Sequence, residues 1–99
     1  MTVFVITEYY GFENLEQVAA VCDSHESAIQ WLIENKGLSG EYSYWLTSFS
    51  QYVSLNAMYG KKHWLQELLT NKWSFFHLDG LDYEIEEKEI FSKKPLTSE

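Results

Sequence analysis

Trp73–Phe91, WSFFHLDGLDYEIEEKEIF, is the stretch that decides the fold of this 99-residue chain. Asp79-Gly80 lies between two strand-like runs, and this dipeptide favours the type I′ turn of an antiparallel hairpin. Because side chains alternate between the faces of a strand, the turn also fixes which residues face each other. The predicted pairs are Leu78 with Leu81, Phe76 with Tyr83 and Ser74 with Ile85 on the buried side, and His77 with Asp82 and Phe75 with Glu84 outside.

The N-terminal part of the chain predicts a second hairpin followed by a helix. Thr2–Tyr9 is dense in β-branched and aromatic residues, and Glu16–Cys22 follows a segment with the turn residues Gly11 and Asn14. The two runs are therefore predicted to pair antiparallel. Asp23 or Ser24 is suited to cap the following helix, and Gly37 supplies its stop signal. The apolar stripe of this helix is Ala28, Ile29, Leu32 and Ile33.

Two further helices are predicted between the hairpins. Within 41–59 the residues at helical spacing are Tyr42, Trp45, Leu46, Phe49, Tyr52, Val53 and Asn56. Serine, threonine and tyrosine are poor helix formers, so a strand is the alternative for this segment. Lys61–Asn71 places four apolar residues on one face of the clearer helix, namely Trp64, Leu65, Leu68 and Leu69.

The order of elements predicts an α+β fold. It runs strand, strand, helix, helix, helix, strand, strand, and gives a four-stranded antiparallel sheet with helices packed on one face. The strand order within the sheet is left open. Residues 1–91 are predicted as a single α+β domain, and residues 92–99, which have no apolar pattern, as a flexible C-terminal tail.

Charge and cysteine content restrict the environment and the partner. The chain has 15 acidic and 7 basic residues and a net charge of -8, which repels phosphate backbones and anionic lipids. No window approaches the ~20 apolar residues that span a bilayer, and the first residues lack the basic region of a signal peptide. The single cysteine, Cys22, fits a reducing compartment. We therefore expect a cytoplasmic protein without direct nucleic-acid or membrane binding, whose partner is a protein with a basic surface.

Few residues indicate catalysis or metal binding. Cys22 and His25 are spaced like two zinc ligands, and His63 and His77 are further candidates, but structural zinc sites normally use closely spaced pairs at both ends. Cys22 as a nucleophile lacks a recognisable oxyanion loop. The dispersed glycines form no phosphate-binding loop. We expect a non-enzymatic protein without metal or cofactor. The alternative is a small-molecule-binding domain or enzyme that uses Cys22 or a histidine.

An acidic strand and a set of aromatic residues are the candidate partner-binding features. The carboxylates are Asp79, Asp82, Glu84, Glu86, Glu87 and Glu89. Asp82, Glu84 and Glu86 share one strand face at ~6.8 Å spacing, a line of negative charge that suits the basic groove of a DNA-binding protein. Exposed acidic strands also serve solubility and edge protection. Tyr44, Tyr52 and Phe75 are predicted as exposed anchors, and Trp45, Phe49 and Trp64 as core residues.

Three stretches resemble small proteins of phages and bacterial mobile elements: Val3–Tyr9 (VFVITEY), Val18–Asn35 (VAAVCDSHESAIQWLIEN) and Leu81–Ile90 (LDYEIEEKEI). In those proteins an N-terminal hairpin leads through a D-S-x-E-x-A helix start into an amphipathic helix, and an acidic strand comes last. The resemblance implies a phage or mobile-element context, in which acidic proteins of this size often block a host enzyme, as anti-CRISPR and anti-restriction proteins do. It transfers no active site.

The functional hypothesis is accordingly a non-catalytic, acidic, protein-binding inhibitor. Its target is a nucleic-acid-handling defence enzyme of the host, such as a nuclease, and a DNA mimic is the simplest form of such an inhibitor. The alternative of a different class is a small homodimeric structural or regulatory domain, because a short chain has a thin stability margin that self-association improves.

Overall fold

The computed structural model describes residues 1–11 and 15–90. The elements are β1 (Thr2–Tyr10), β2 (Leu15–Cys22), α1 (His25–Lys36), β3 (Ser43–Leu46), β4 (Gln51–Ser54), α2 (Leu55–Tyr59), α3 (Trp64–Thr70), β5 (Phe75–Leu78) and β6 (Leu81–Glu89). The predicted tail at 92–99, Phe91 at the end of the last predicted strand and the predicted turn residue Asn14 lie outside the described residues.

Both predicted hairpins join in one antiparallel sheet with the strand order β2-β1-β6-β5. The α+β class and the four-stranded antiparallel sheet are therefore confirmed. In the C-terminal hairpin the predicted pairing is confirmed from Phe75 to Leu78, with Phe76 opposite Tyr83 and His77 opposite Asp82. Ser74 was predicted on the buried side opposite Ile85, but its side chain is exposed because it precedes β5; only its carbonyl oxygen accepts a hydrogen bond from the Ile85 N–H. Asp79 and Gly80 have φ angles of 53° and 84°, the left-handed values that a type I′ turn requires at both central positions.

The helix predicted across residues 41–59 is wrong. β3 and β4 pair as a separate two-stranded hairpin, and only Leu55–Tyr59 at the end of this segment is helical. Aromatic and β-branched side chains favour an extended backbone, and the hairpin places Trp45 and Tyr52 in an edge-to-face contact with ring centroids 4.9 Å apart. The described residues therefore form six strands in two sheets rather than the predicted four strands in one.

α1 packs on one face of the four-stranded sheet, which we call the covered face. The Ser24 side chain accepts a hydrogen bond from the Ser27 N–H at its start, and Gly37 ends it with a φ angle of 78°, so both predicted ends are confirmed. The hydrophobic core contains Ala28, Ile29 and Leu32 of α1 and Leu38, Leu55 and Leu68 from the residues that follow it; the sheet adds Ile6, Phe76, Leu78, Tyr83 and Ile85. This core fixes α1 over β1, β2 and β6.

A buried carboxylate connects these elements on the covered face. Glu8 is 5% exposed, and it accepts hydrogen bonds from the hydroxyl groups of Tyr83 and Tyr10 and from the side-chain amide of Gln17. The Lys36 Nζ atom lies 3.5 Å from the Oε2 atom of Glu8, the oxygen that also accepts the bond from Tyr83. The bond from Tyr83 is the largest of the contributions that lower the pKa of Glu8 to about 2. Glu8 is therefore ionised at neutral pH and links β1, β2, β6 and α1.

Candidate functional site

The sheet face opposite α1, which we call the open face, is not covered by any helix of the described residues. Its side chains are Val3, Val5, Thr7 and Tyr9 of β1, Glu16, Val18 and Val21 of β2, Asp82, Glu84, Glu86 and Lys88 of β6, and Phe75 and His77 of β5. Val18, Val21 and Phe75 are 60%, 58% and 54% exposed. Exposed apolar side chains that adjoin charged ones are typical of interaction surfaces.

Three predicted site residues, Asp82, Glu84 and Glu86, lie together on the open face, and we call them the acidic row. Sequence alternation along β6 places them on this side of the sheet, as predicted. Glu16 of β2 belongs to the same face because it pairs with Tyr9, which lies between β2 and the acidic row. The open face therefore carries four carboxylates from two strands.

Neighbouring side chains hold the acidic row in place. The Tyr9 hydroxyl donates a hydrogen bond to Glu84 over 2.9 Å, and this bond is the largest cause that raises the pKa of Tyr9 to about 12. The His77 Nδ1 atom lies 2.6 Å from an Asp82 oxygen. The Lys88 Nζ atom is 4.0 Å from Glu86. Since the open face carries four carboxylates, these contacts leave it with an excess of negative charge.

The other predicted carboxylates do not belong to this group. Alternation along β6 places Glu87 and Glu89 on the opposite side of the strand, where Glu89 accepts a hydrogen bond from the Thr2 hydroxyl over 2.7 Å. Asp79 occupies the turn between β5 and β6. The six carboxylates between Asp79 and Glu89 therefore divide into the acidic row of three and three residues outside it.

The predicted aromatic anchors are divided between two surfaces. Phe75 lies on the open face, whereas Tyr44 and Tyr52 lie on the hairpin β3–β4, and all three are exposed as predicted. Trp45 and Phe49, predicted in the core, are 45% and 65% exposed, because Trp45 lies on a strand of the two-stranded hairpin and Phe49 in its turn, where a helix was expected. Trp64 packs against the core, in agreement with the prediction.

Sequence reasoning missed Glu16, Val18 and Val21 as members of the open face. Ile6 pairs with Ala20 and Thr7 with Val18, so Ala19 is the extra residue of a β-bulge. In a regular strand, residues three positions apart lie on opposite faces. The bulge instead brings both exposed valines to the open face. Strict alternation cannot reveal this arrangement from the sequence.

Two depressions cross the open face and meet at Tyr9 and Glu16. The first has a volume of about 440 Å³, and its lining includes the rings of Tyr9, Tyr10 and Phe75 and the carboxylates of Glu16, Asp82 and Glu84. The second, of about 320 Å³, extends between β2 and β6 and includes Val5, Val18, Glu86 and Lys88. Aromatic rings beside carboxylates suit a cationic side chain.

Cys22 and His25, which the sequence offered as candidate ligands or catalytic groups, and the buried carboxylate of Glu8 each have a property that disfavours such a role. Burial, and to a smaller extent Asp23, raises the pKa of the Cys22 thiol, which disfavours the nucleophilic thiolate. His25 is buried, and its Nε2 atom lies 2.7 Å from the Trp73 carbonyl oxygen. Glu8 is a poor general base because its pKa is low and its oxygens are engaged. Within residues 1–11 and 15–90, histidine, cysteine and carboxylate side chains form no cluster of three suited to a metal ion.

Comparison of the chain with protein-family models, curated protein sequences and solved structures gives no match. Among the helices of the described residues, none combines the length and apolar character needed to cross a membrane. The open face is therefore the feature from which a function is proposed.

Proposed function

We propose that this protein is a non-catalytic protein-binding domain whose open face docks on a basic protein surface. The observation that supports this proposal is the combination, on one sheet face without a helix, of the acidic row and Glu16 with exposed Val18, Val21 and Phe75. Apolar contacts supply affinity at an interface, whereas carboxylates select a positively charged partner and accelerate its approach.

The proposed partner is a nuclease or another nucleic-acid-handling enzyme of a host bacterium, and its inhibition in the host cytoplasm is the proposed outcome. Such enzymes bind phosphate backbones through basic grooves. Alternate carboxylates of a strand stand ~6.8 Å apart, which equals the rise of about two nucleotides along one DNA strand. The net charge of -8 also favours a positively charged partner. The resemblance to phage and mobile-element proteins favours a host enzyme as that partner.

A pair of charge-reversed variants tests this proposal. Glu84→Lys with Glu86→Lys reverses two members of the acidic row, whereas Glu34→Lys with Glu87→Lys reverses two exposed carboxylates elsewhere and gives the same net charge. Each tagged protein is used for capture from bacterial lysate at low and high salt, and retained proteins are identified by mass spectrometry. We expect wild type and control to retain and inhibit the same nucleic-acid-handling enzyme, and the acidic-row variant to bind it about 30-fold more weakly.

Circular dichroism of both variants establishes that they are folded before binding is compared. Equal retention of the enzyme by the two variants would contradict a role for the acidic row. Retention that is insensitive to salt would likewise contradict charge selection, because exposed ionic contacts weaken as screening increases.

Self-association through the hairpin β3–β4 is a second candidate function. Residues 42–60 contain no charged residue in a chain of net charge -8, and Trp45, Tyr52 and Phe49 are exposed there. Because two copies repel each other where carboxylates dominate, this uncharged aromatic surface is the place where they can meet.

Sedimentation equilibrium checks this second candidate. We expect a concentration-dependent dimer that strengthens with salt and is weakened at least about tenfold by Trp45→Ser with Tyr52→Ser. Phe75→Ser, on the open face, serves as the control and should leave association unchanged. A monomer at every concentration and salt condition would eliminate this candidate.

A further inference from the structure

We propose that β2 takes up an extended basic segment of the partner as an additional strand of the sheet. This inference rests on the proposed function and specifies how the partner binds beside the open face. Strand addition of this kind combines main-chain hydrogen bonds, which supply affinity, with alternate side chains, which supply specificity.

β2 offers a long free edge. It lies at the end of the strand order, and among the described residues it pairs with β1 alone. Its eight residues, LEQVAAVC, include no lysine or proline, two residue types that commonly protect an edge from further pairing; the bulge at Ala19 is a protective feature that β2 does carry. Leu15, Val18 and Val21 are each more than half exposed. An exposed, partly apolar edge of this length is a template for one more strand.

The opposite edge of the sheet is less accessible to an added strand. β5 has only four residues, and the N–H group of His77 donates a hydrogen bond to the Tyr42 hydroxyl over 3.0 Å. Tyr42 is itself fixed by an edge-to-face contact with Phe76, with ring centroids 5.9 Å apart. The outward N–H group of His77 is therefore not available to an added strand. We accordingly place strand addition at β2.

The register of β1 indicates the side-chain pattern that β2 accepts. Val5, Thr7 and Tyr9 lie opposite Val21, Val18 and Glu16, in that order. A strand added on the other side in the same antiparallel register places every second residue on the open face. Its side chains then lie beside Val21, Val18 and Glu16 in succession, so the matching pattern is apolar–x–apolar–x–cation.

Charge complementarity selects a basic segment as the occupant. A lysine or arginine beside Glu16 reaches the depression of about 440 Å³ that also contains Asp82 and Glu84. Pairing with β2 of a second copy is unfavourable by the same reasoning, because it joins two acidic open faces into one surface. The occupant that fits both edge and charge is an extended, basic segment of another protein.

Titration of a synthetic peptide into the ¹⁵N-labelled full chain tests the inference. The peptide Thr-Val-Thr-Val-Thr-Lys-Thr-Lys carries the matching pattern. We expect the amide hydrogens of β2 that do not bond to β1 to become at least about tenfold more protected from exchange. A peptide with the same side chains but N-methylated at alternate residues, and one with glutamate in place of lysine, should each bind about tenfold more weakly.

Variants of β2 add an independent readout. Val18→Thr with Val21→Thr keeps β-branched residues in the strand but removes apolar contact, so we expect about tenfold weaker binding of the lysine peptide. Val53→Thr on β4 is the matched control and should leave the affinity unchanged. Equal affinity of all three proteins would overturn the placement of the peptide at β2.

The outcomes separate this inference from the proposed function. Equal binding of the N-methylated peptide without protection of β2 would overturn strand addition and leave selection by charge intact. Failure of every peptide would also overturn it, whereas an enzyme captured through Glu84 and Glu86 would still support the proposed function. A third outcome concerns the free chain. If the β2 amide hydrogens are already protected from exchange without peptide, and the double variant Lys93→Gln with Lys94→Gln loses this protection, the edge would be assigned to the chain's own C-terminal segment instead.

Discussion

Replacing Glu8 with glutamine is expected to lower the free energy of unfolding by about 3 kcal/mol at neutral pH. The carboxylate accepts hydrogen bonds from Tyr83, Tyr10 and Gln17 and lies near Lys36. A glutamine amide has one oxygen fewer to accept these bonds, and its NH₂ group faces donors in a buried position. Urea denaturation measures the change. Glu34→Gln on the exposed side of α1 is the control, with an expected change within about 0.5 kcal/mol.

The same contacts predict how stability depends on pH. The pKa of Glu8 is about 2 in the folded protein, compared with an ordinary value of 4.5. Because the folded-state pKa is lowered, the stabilisation is fully present above pH 4.5 and is lost as the pH falls through about 2. The difference in stability between wild type and Glu8→Gln should therefore shrink over this range. A difference that is constant between pH 7 and pH 2 would contradict the assigned role of the ionised carboxylate.

Phe76→Ala is expected to cost about 4 kcal/mol of stability. The Phe76 ring is fully buried, stacks on Trp73 with centroids 6.1 Å apart and contacts the edge of Tyr42. Its removal leaves a cavity beside the rings of Tyr42 and Trp73, and these rings cannot fill this space without moving.

Phe75→Ala is the matched control for this substitution. Phe75 precedes Phe76 in β5 but lies on the open face and is 54% exposed, so its truncation should cost less than about 1 kcal/mol. Thermal and urea unfolding of the two variants measure the contrast. Equal losses would show that the faces of β5 are assigned incorrectly.

The parts of the fold that the sequence predicts are those determined by neighbouring residues. Asp79-Gly80 adopts the turn that its composition favours, and this turn sets the pairing of Phe76 with Tyr83. Likewise Ser24 and Gly37 supply the two ends of α1 through local hydrogen bonds. Each of these features needs only a few consecutive residues, so propensity and tertiary structure agree.

The hairpin β3–β4 was not predicted from the sequence because its turn has no clear sequence signal. Leu46 and Gln51 are joined by Thr47–Ser50, which contains neither glycine nor asparagine, and Ser50 takes a φ angle of 51°. Such a conformation is uncommon for serine. The aromatic residues meanwhile happen to fit helical spacing, and strands of four residues are too short to display a clear alternation.

The residues that β2 contributes to the open face join it through contacts between distant parts of the chain. Alternation within β6 suffices to place Glu84 and Glu86 on one face. Glu16 joins them only because β1 pairs with both β2 and β6, so that Tyr9 lies between Glu16 and Asp82. Pairings between the two ends of the chain are set by the whole fold rather than by local propensity, and the sequence alone leaves the strand order open.

The hydrogen bond between His77 and Tyr42 also affects how far assembly can proceed. A sheet with two accessible edges can grow by head-to-tail addition into an open fibre. Among the described residues, one edge of the four-stranded sheet is short and has an outward donor occupied by Tyr42, so this sheet offers a single long edge, that of β2. If a partner strand pairs with β2 as proposed, this sheet keeps no second long edge, and we expect a closed complex of defined size rather than a growing filament.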